Sequence, residues 1–144
     1  EEILEAIKKE TDLVEASFII NTLTYLYKGG RCSGVAALGA NLLKLRPSIL
    51  VQGGKMNVGK KYRGAYISCM ENYIKDRLLN RTDIRTDRVF LTHTKCDDAC
   101  LEAARRTLNE CMPFAEVLET TAGCTVTTHC GESTLGVLFV RKPE

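Results

Sequence analysis

The sequence lacks most features that would assign it at a glance. Its 144 residues include no tryptophan and only three prolines. No internal repeat, linker or low-complexity tract interrupts them. What is left is a globular composition, 44% hydrophobic and 26% charged. The length fits one domain with room for a real core. Net charge is also missing: 20 Lys and Arg oppose 18 Asp and Glu, for a total of +2. That balance is too weak and too dispersed for nucleic acid or an anionic membrane surface. Long apolar runs are absent too. The longest, Val35 to Leu43, cannot span a bilayer, so no transmembrane segment is expected. No signal peptide is visible. There is no initiator methionine either: the chain opens on Glu1-Glu2, straight into a helical pattern. It reads as a fragment, so the missing targeting segment says little about the parent protein.

Cysteine is plentiful by contrast. The seven are Cys32, Cys69, Cys96, Cys100, Cys111, Cys124 and Cys130, an odd number without a C-x2-C pair. Their scatter over helical and strand patterns argues against a disulfide framework. They read as reduced thiols of a cytoplasmic protein, most of them acting as small hydrophobes.

Residues 3–8 have helical spacing that ends near Thr11-Asp12, and 17–22 form a short β-rich run. Thr22 is placed to cap a helix over 23–28, which Gly29-Gly30 stops. Ser33 can cap a second helix, Gly34 to Lys44, apolar on every side through Leu38, Leu42 and Leu43. Pro47 ends it. A hairpin follows, with Gly53-Gly54 at its turn. Residues 65–79 carry the clearest amphipathic pattern, with Tyr66, Met70, Tyr73, Ile74 and Leu78 on one face. Residues 80–88 read as a charged loop and 88–94 as a strand. Asp97 or Asp98 caps a helix that runs to Cys111. Strands follow at 114–121 and 135–140, and the stretch between them has no clean period. Strands alternating with helices around a central hairpin predict a two-layer α/β sandwich with a mixed β-sheet.

Three patterns bear on chemistry. His93 is in phase with Val89 and Leu91, as expected of a hydrogen-bonded, half-buried histidine. His129 ends the irregular stretch beside Gly131, where a loop histidine has room to meet a ligand; a purely structural role is equally open. His93, Cys96 and Cys100, with Cys124, His129 and Cys130 further on, offer metal-ligand chemistry, and His129 with Cys130, Cys32 or Cys124 offers Cys/His nucleophile chemistry. Their spacing lacks the tight pairs of structural zinc sites, and caps at Asp97 and Asp98 keep Cys96 off the helix that carries Cys100. Residues 28–34, "KGGRCSG", lack the P-loop pattern. They are a helix–helix corner, or an anion site in which Arg31 supplies a guanidinium fork and Ser33 a hydroxyl at a helix N-terminus.

These residues also carry a resemblance. Leu23, Tyr25, Leu26, Gly29, Gly30, Arg31 and Ser33, then Pro47, Leu50, Gly54, Lys55, Lys61 and Arg63, resemble the Leu-x-Tyr-Leu-x-x-Gly-Gly-Arg-Ile-Ser region of the DegV family. His129, Gly131 and the strand Leu135 to Val140 stand where that family has His-x-Gly-Pro-Gly and its last strand. The family comprises bacterial fatty-acid-binding proteins, including the lipid-carrier subunits of fatty acid kinases. Its members are about twice as long, so residues 1–144 resemble the second, C-terminal domain alone.

The resemblance implies a non-catalytic carrier that needs no cofactor. A long-chain fatty acid would be bound in the full-length protein, and the partners would be the kinase catalytic subunit and the chain's own N-terminal domain. It places Arg31 and His129 nearest the lipid head group, with Ser33 and Gly131 beside them. Leu38, Leu42 and Leu43 would face the acyl chain or simply the core. Glu132-Ser133 departs from the family's Pro-Gly, and a carboxylate there repels an anion unless it turns away or pairs. Two other classes stay open: a small-molecule enzyme domain with a Cys/His or metal site, and a protein-interaction module without ligand.

Overall fold

The computed structural model describes residues 1–30 and 45–143. The helix expected over 34–44 lies outside them, and so do Arg31, Ser33, Leu38, Leu42 and Leu43. The described elements are α1 (Glu2–Thr11), β1 (Val14–Ile19), α2 (Thr24–Gly29), β2 (Leu45–Gln52), β3 (Lys55–Arg63), α3 (Tyr66–Leu78), β4 (Ile84–His93), α4 (Asp98–Cys111), β5 (Glu116–Thr121), α5 (Cys124–Cys130) and β6 (Leu135–Arg141). The strands form one six-stranded sheet in the order β3-β2-β1-β6-β4-β5. Among the described strands only β4 and β5 run parallel, joined by the α4 crossover. The mixed sheet and α/β class follow the sequence expectation.

The expected hairpin is β2–β3. Gly53 and Gly54 both take positive φ, 54° and 72°, the condition for a two-residue turn matched to strand twist. Strand β1 pairs β2 on one side and β6 on the other, with Phe18 opposite Ile49 and Gly136.

Alternation along the strands separates two cores. Ser17 and Ile19 of β1 face α3, together with Val89 and Leu91 of β4 and Val137 and Phe139 of β6. Against them α3 buries Cys69, Met70, Tyr73, Ile74 and Leu78 at helical spacing. Helix α4 adds Cys100, Leu101, Ala103, Ala104, Thr107 and Leu108. Each fully buried large apolar side chain here is worth about 1.5–3 kcal/mol. Tyr73 brings a hydroxyl into this layer, and it is satisfied: it lies 2.7 Å from Ser17 Oγ and accepts from Val137 N at 3.2 Å. Burial pushes its pKa up to about 12. On the opposite face Phe18, Ile49, Met56 and Val58 meet Ile20, Leu23, Leu26 and Cys130, which brings α2 and α5 onto the sheet.

Five local expectations change. The N-cap position of α2 is Leu23, and Thr22 Oγ1 accepts from Thr24 N at 3.3 Å from just outside the helix. Pro47 lies inside β2, where the register to β3 shifts between Pro47 and Ile49; a proline has no N–H to give a ladder. Strand β4 starts at Ile84, so half of the expected charged loop is strand. Its charges are paired, Arg85 with Asp87 and with Glu10 of α1. Asp97 holds the N-cap position of α4 but makes no side-chain capping bond. Residues 124–130, expected to be irregular, are helix α5.

Candidate functional site

Two short helices build the site. Helix α2 ends at Gly30, whose φ of 61° turns the chain as it leads into Arg31. Helix α5 is seven residues long and rich in threonine. Two of its threonines bond back one turn: Thr127 Oγ1 donates to Gly123 O at 3.1 Å and Thr128 Oγ1 to Cys124 O at 2.8 Å. Cys130, 5% exposed, packs with Leu23 and Leu26 and so fastens α5 to α2. Burial raises its thiol pKa.

Gly131 ends α5 at φ 82° and ψ −178°, a region essentially reserved for glycine. A Cβ there would sit 2.5 Å from Tyr25 Cδ2 and 2.6 Å from its Cε2. The ring of Tyr25 in α2 thus lies directly on the backbone of Gly131. Residues 30 and 131 come from distant parts of the chain, and this contact joins the helices that carry them.

Thr94, 1% exposed, anchors the loop from the other side. Its Oγ1 donates to Gly131 O at 2.8 Å and accepts from Thr134 N at 3.0 Å. Its own N–H donates to Thr134 O at 3.0 Å, and Ser133 N donates to Lys95 O at 2.8 Å. Thr134 Oγ1 closes the ring by donating to Cys130 O at 3.1 Å. Ser133 holds φ at 54°, which explains why the family pattern has glycine at its position.

His93 stands behind this clasp and is half-buried, as its phase in the strand predicted. The carbonyl of Thr94 can only accept, so His93 Nδ1 carries the hydrogen at 2.7 Å. Its Nε2 lies 3.5 Å from Glu119 Oε1. Arg105 grips Glu119 at 2.7 and 2.8 Å and, with His93, holds that carboxyl below its ordinary pKa.

Of the site residues read from the sequence, His129 is half-buried in the last turn of α5, a helical place where a loop tip was expected. Gly131 is buried two residues further on. Glu132 is exposed and has no ion-pair partner among the described residues. Tyr25 and Thr94 were not singled out as site residues. Tyr25 sits in the Leu-x-Tyr-Leu run, so its motif was the available signal; Thr94 had none beyond its position at a strand end.

The six described cysteines are free, and Cys69, Cys100 and Cys130 are buried. Cys96 lies outside α4, and its thiol donates to Thr134 O at 3.8 Å. Among the described residues, no group of three or more His, Cys, Asp and Glu side chains is placed to hold a metal ion. No helix of the described residues is long and apolar enough to cross a membrane. A cavity of about 970 Å³ opens at the far end of the sheet, beside the Gly53-Gly54 turn. Arg77, Arg81 and Arg141 in its wall gather around Glu15, so it is a charged chamber remote from His129.

Comparison with known proteins follows the same lines. The family model described as "Uncharacterised protein, DegV family" matches residues 1–142. A DegV domain-containing protein of Caldanaerobacter subterraneus is 29% identical over 99% of this chain and 50% of its own length. A fatty acid binding DegV family protein of Streptococcus agalactiae superposes with a TM-score of 0.77 at 22% identity, over 99% of this chain and 50% of that one. The fatty acid kinase B3 protein of Streptococcus pneumoniae, solved loaded with linoleic acid, gives a TM-score of 0.74 at 17% identity, over 96% of this chain and 48% of that one. The chain spans about half the length of the relatives it matches. With the fold and the family model in agreement, the chain belongs to the DegV family.

Proposed function

We propose that this chain is the lipid-binding second half of a fatty-acid carrier, one that holds a fatty acid by its carboxylate for a separate kinase and performs no chemistry of its own. One observation carries the reading. The Tyr25–Gly131 contact joins the helix that leads into Arg31 to the helix that bears His129. In this reading Arg31 pairs with the carboxylate, His129 donates a hydrogen bond beside it, and Ser33 and the backbone at Gly131 complete the cradle. Leu38, Leu42 and Leu43 supply apolar wall for the acyl chain. The fatty acids named with the related structures support this ligand class, and the kinase role rests on the Streptococcus pneumoniae relative alone. Exposed Glu132 leaves the anion room only if its carboxylate points away from the cradle.

The rest of the carrier would come from a preceding domain. Ile3, Leu4 and Ile7 of α1 are 76%, 61% and 56% exposed, an apolar stripe that such a domain would cover.

The test is lipid extraction from the longer protein purified without added lipid. Mass spectrometry should find a fatty acid, and Arg31→Ala and His129→Ala should each retain at least tenfold less. An empty extract, with no rise in melting temperature on adding palmitate, sinks the proposal. A kinase assay with the loaded protein tests the partner role separately.

A further inference from the structure

The chamber beside the Gly53-Gly54 turn takes no part in the function proposed above. Gly131 lies just before one end of β6 and Arg141 closes the other, about 20 Å away along a strand of this length. The polar wall of the chamber gathers three arginines on one carboxylate. Arg81 donates from Nη1 and Nη2 to the two oxygens of Glu15, each at 2.9 Å, and Arg77 Nη2 donates to the same carboxylate. Arg141 Nε lies 3.3 Å from Glu15 Oε1 without completing a hydrogen bond, and Arg77 Nε has no hydrogen-bond partner among the described residues. Asp83 pairs with Arg81 from outside the wall. Among the described residues, three guanidiniums thus meet two carboxylates and keep an excess of one positive charge. The cluster is also held in place: the guanidinium carbons of Arg77 and Arg81 stand 5.8 and 5.2 Å from the ring centroid of Phe139.

The remaining wall is apolar. Val14 is exposed, and Ala16, Leu50 and Val51 are half-buried. A Cβ built on Gly53 or Gly54 would meet nothing within 4 Å, so the turn leaves the mouth open. The arginine side chains keep 19–32% of their surface exposed while lining this space, so a ligand can reach them. The volume of about 970 Å³ is that of a small-molecule site.

We propose that this chamber is a second ligand site, for a small carboxylate with a compact apolar body. A guanidinium matches a planar carboxylate with two donors to two oxygens, as Arg81 already does on Glu15. Glu15 has only those two oxygens, which leaves Arg77 and Arg141 short of acceptors. One further carboxylate supplies them and balances the excess charge, whereas a phosphate dianion would reverse it. Val14, Ala16, Leu50 and Val51 take the apolar remainder out of water. Asp12 sits at the mouth. Its backbone O accepts from Arg141 Nη2 at 3.1 Å, while its exposed carboxylate has no ion pair among the described residues and opposes an entering anion. The proposal is independent of lipid binding at the other end of the sheet.

The experiment titrates the intact, nitrogen-15-labelled chain with benzoate and follows its backbone amides by NMR. Benzoate should shift Val14, Glu15, Ala16, Gly53 and Gly54 saturably. Acetate, which lacks the apolar body, and benzyl alcohol, which lacks the charge, should each bind there at least about tenfold more weakly. Arg141→Gln should weaken benzoate by about tenfold or more, the scale of a charged hydrogen bond. Arg141→Lys keeps the charge without the fork and should recover part of that loss. Asp12→Asn, at an exposed position, should tighten benzoate about threefold, and it decides the matter where Arg141→Gln does not fold. No saturable shift at these amides, or no tightening in Asp12→Asn, overturns the site. Shifts confined to His129 and Gly131 place benzoate in the head-group cradle and overturn it equally. Inorganic phosphate that binds at the same amides as tightly as benzoate overturns the carboxylate assignment.

Discussion

Replacing Gly131 by alanine tests the junction on which the functional reading stands. At φ 82° and ψ −178° a non-glycine residue costs about 1–3 kcal/mol in backbone strain alone. The new methyl would also lie 2.5 Å from Tyr25 Cδ2. Tyr25 is 45% exposed, so its ring can swing outward, giving up its contact with residue 131. Losing it adds roughly 1 kcal/mol, the scale of a partly buried aromatic contact. The sum is about 2–4 kcal/mol, or a fall of about 6–14 °C in melting temperature for a chain of this length. Chemical denaturation of Gly131→Ala against the parent measures it. The double variant with Tyr25→Ala separates the two parts: strain stays and the clash goes, so Gly131→Ala should cost about 1 kcal/mol less in that background. A cost below about 0.5 kcal/mol in the single variant would refute the strained-glycine argument. Equal costs in both backgrounds would refute the ring contact.

Other expectations follow from the same structure. Thr94→Val leaves Gly131 O and Thr134 N without their shared partner in a buried place, and should cost about 2–3 kcal/mol by urea denaturation. Ser133→Gly relieves a left-handed serine against a gain in unfolded-chain freedom, for a net rise of about 0.5 kcal/mol in the same assay. For Glu15, burial raises the carboxyl pKa, but the hydrogen bond from Arg81 and the charges of Arg77, Arg81 and Arg141 together outweigh it and leave the pKa below 4.5. Its stabilisation is therefore full above about pH 4.5 and drains away as pH falls through the lowered value. Glu15→Gln should cost about 3 kcal/mol at pH 7 and flatten the acid limb of a stability–pH curve.

Much of this fold was legible because strong local patterns coincide with tertiary demand. Helix α3 declared itself through Met70, Tyr73, Ile74 and Leu78, and these are the residues it buries. Gly53-Gly54 named a turn because few other residues take two positive φ values in succession. Helix α5 hid because three of its seven residues are threonine and one is valine, types that read as strand. The burial of Cys130 against Leu23 and Leu26 holds it, and that contact has no local signature. The Ile84–Arg88 part of β4 hid behind charges, two of which find partners on other elements, Arg85 at Glu10 of α1 and Arg88 at Glu116 of β5. In the candidate site, the family pattern points to His129 and Gly131. Their neighbours Tyr25 and Thr94 required the fold, because contacts across roughly 40 and 100 residues leave no periodicity to read.

The position of β6 in the sheet has a kinetic consequence. The last of the described strands in sequence is fourth in the sheet order, seated between β1 and β4. Strands β1 to β3 can zip as a meander as they emerge, and β4 and β5 can join through their crossover. Neither group touches the other in the sheet until β6 arrives to bridge them. Folding is then governed by long-range encounters, which are slow to find. During synthesis the two groups would wait as separate half-sheets, each with an open edge. The segment that ends this waiting is also the one that positions Gly131, so maturation of the site and closure of the sheet become a single late event.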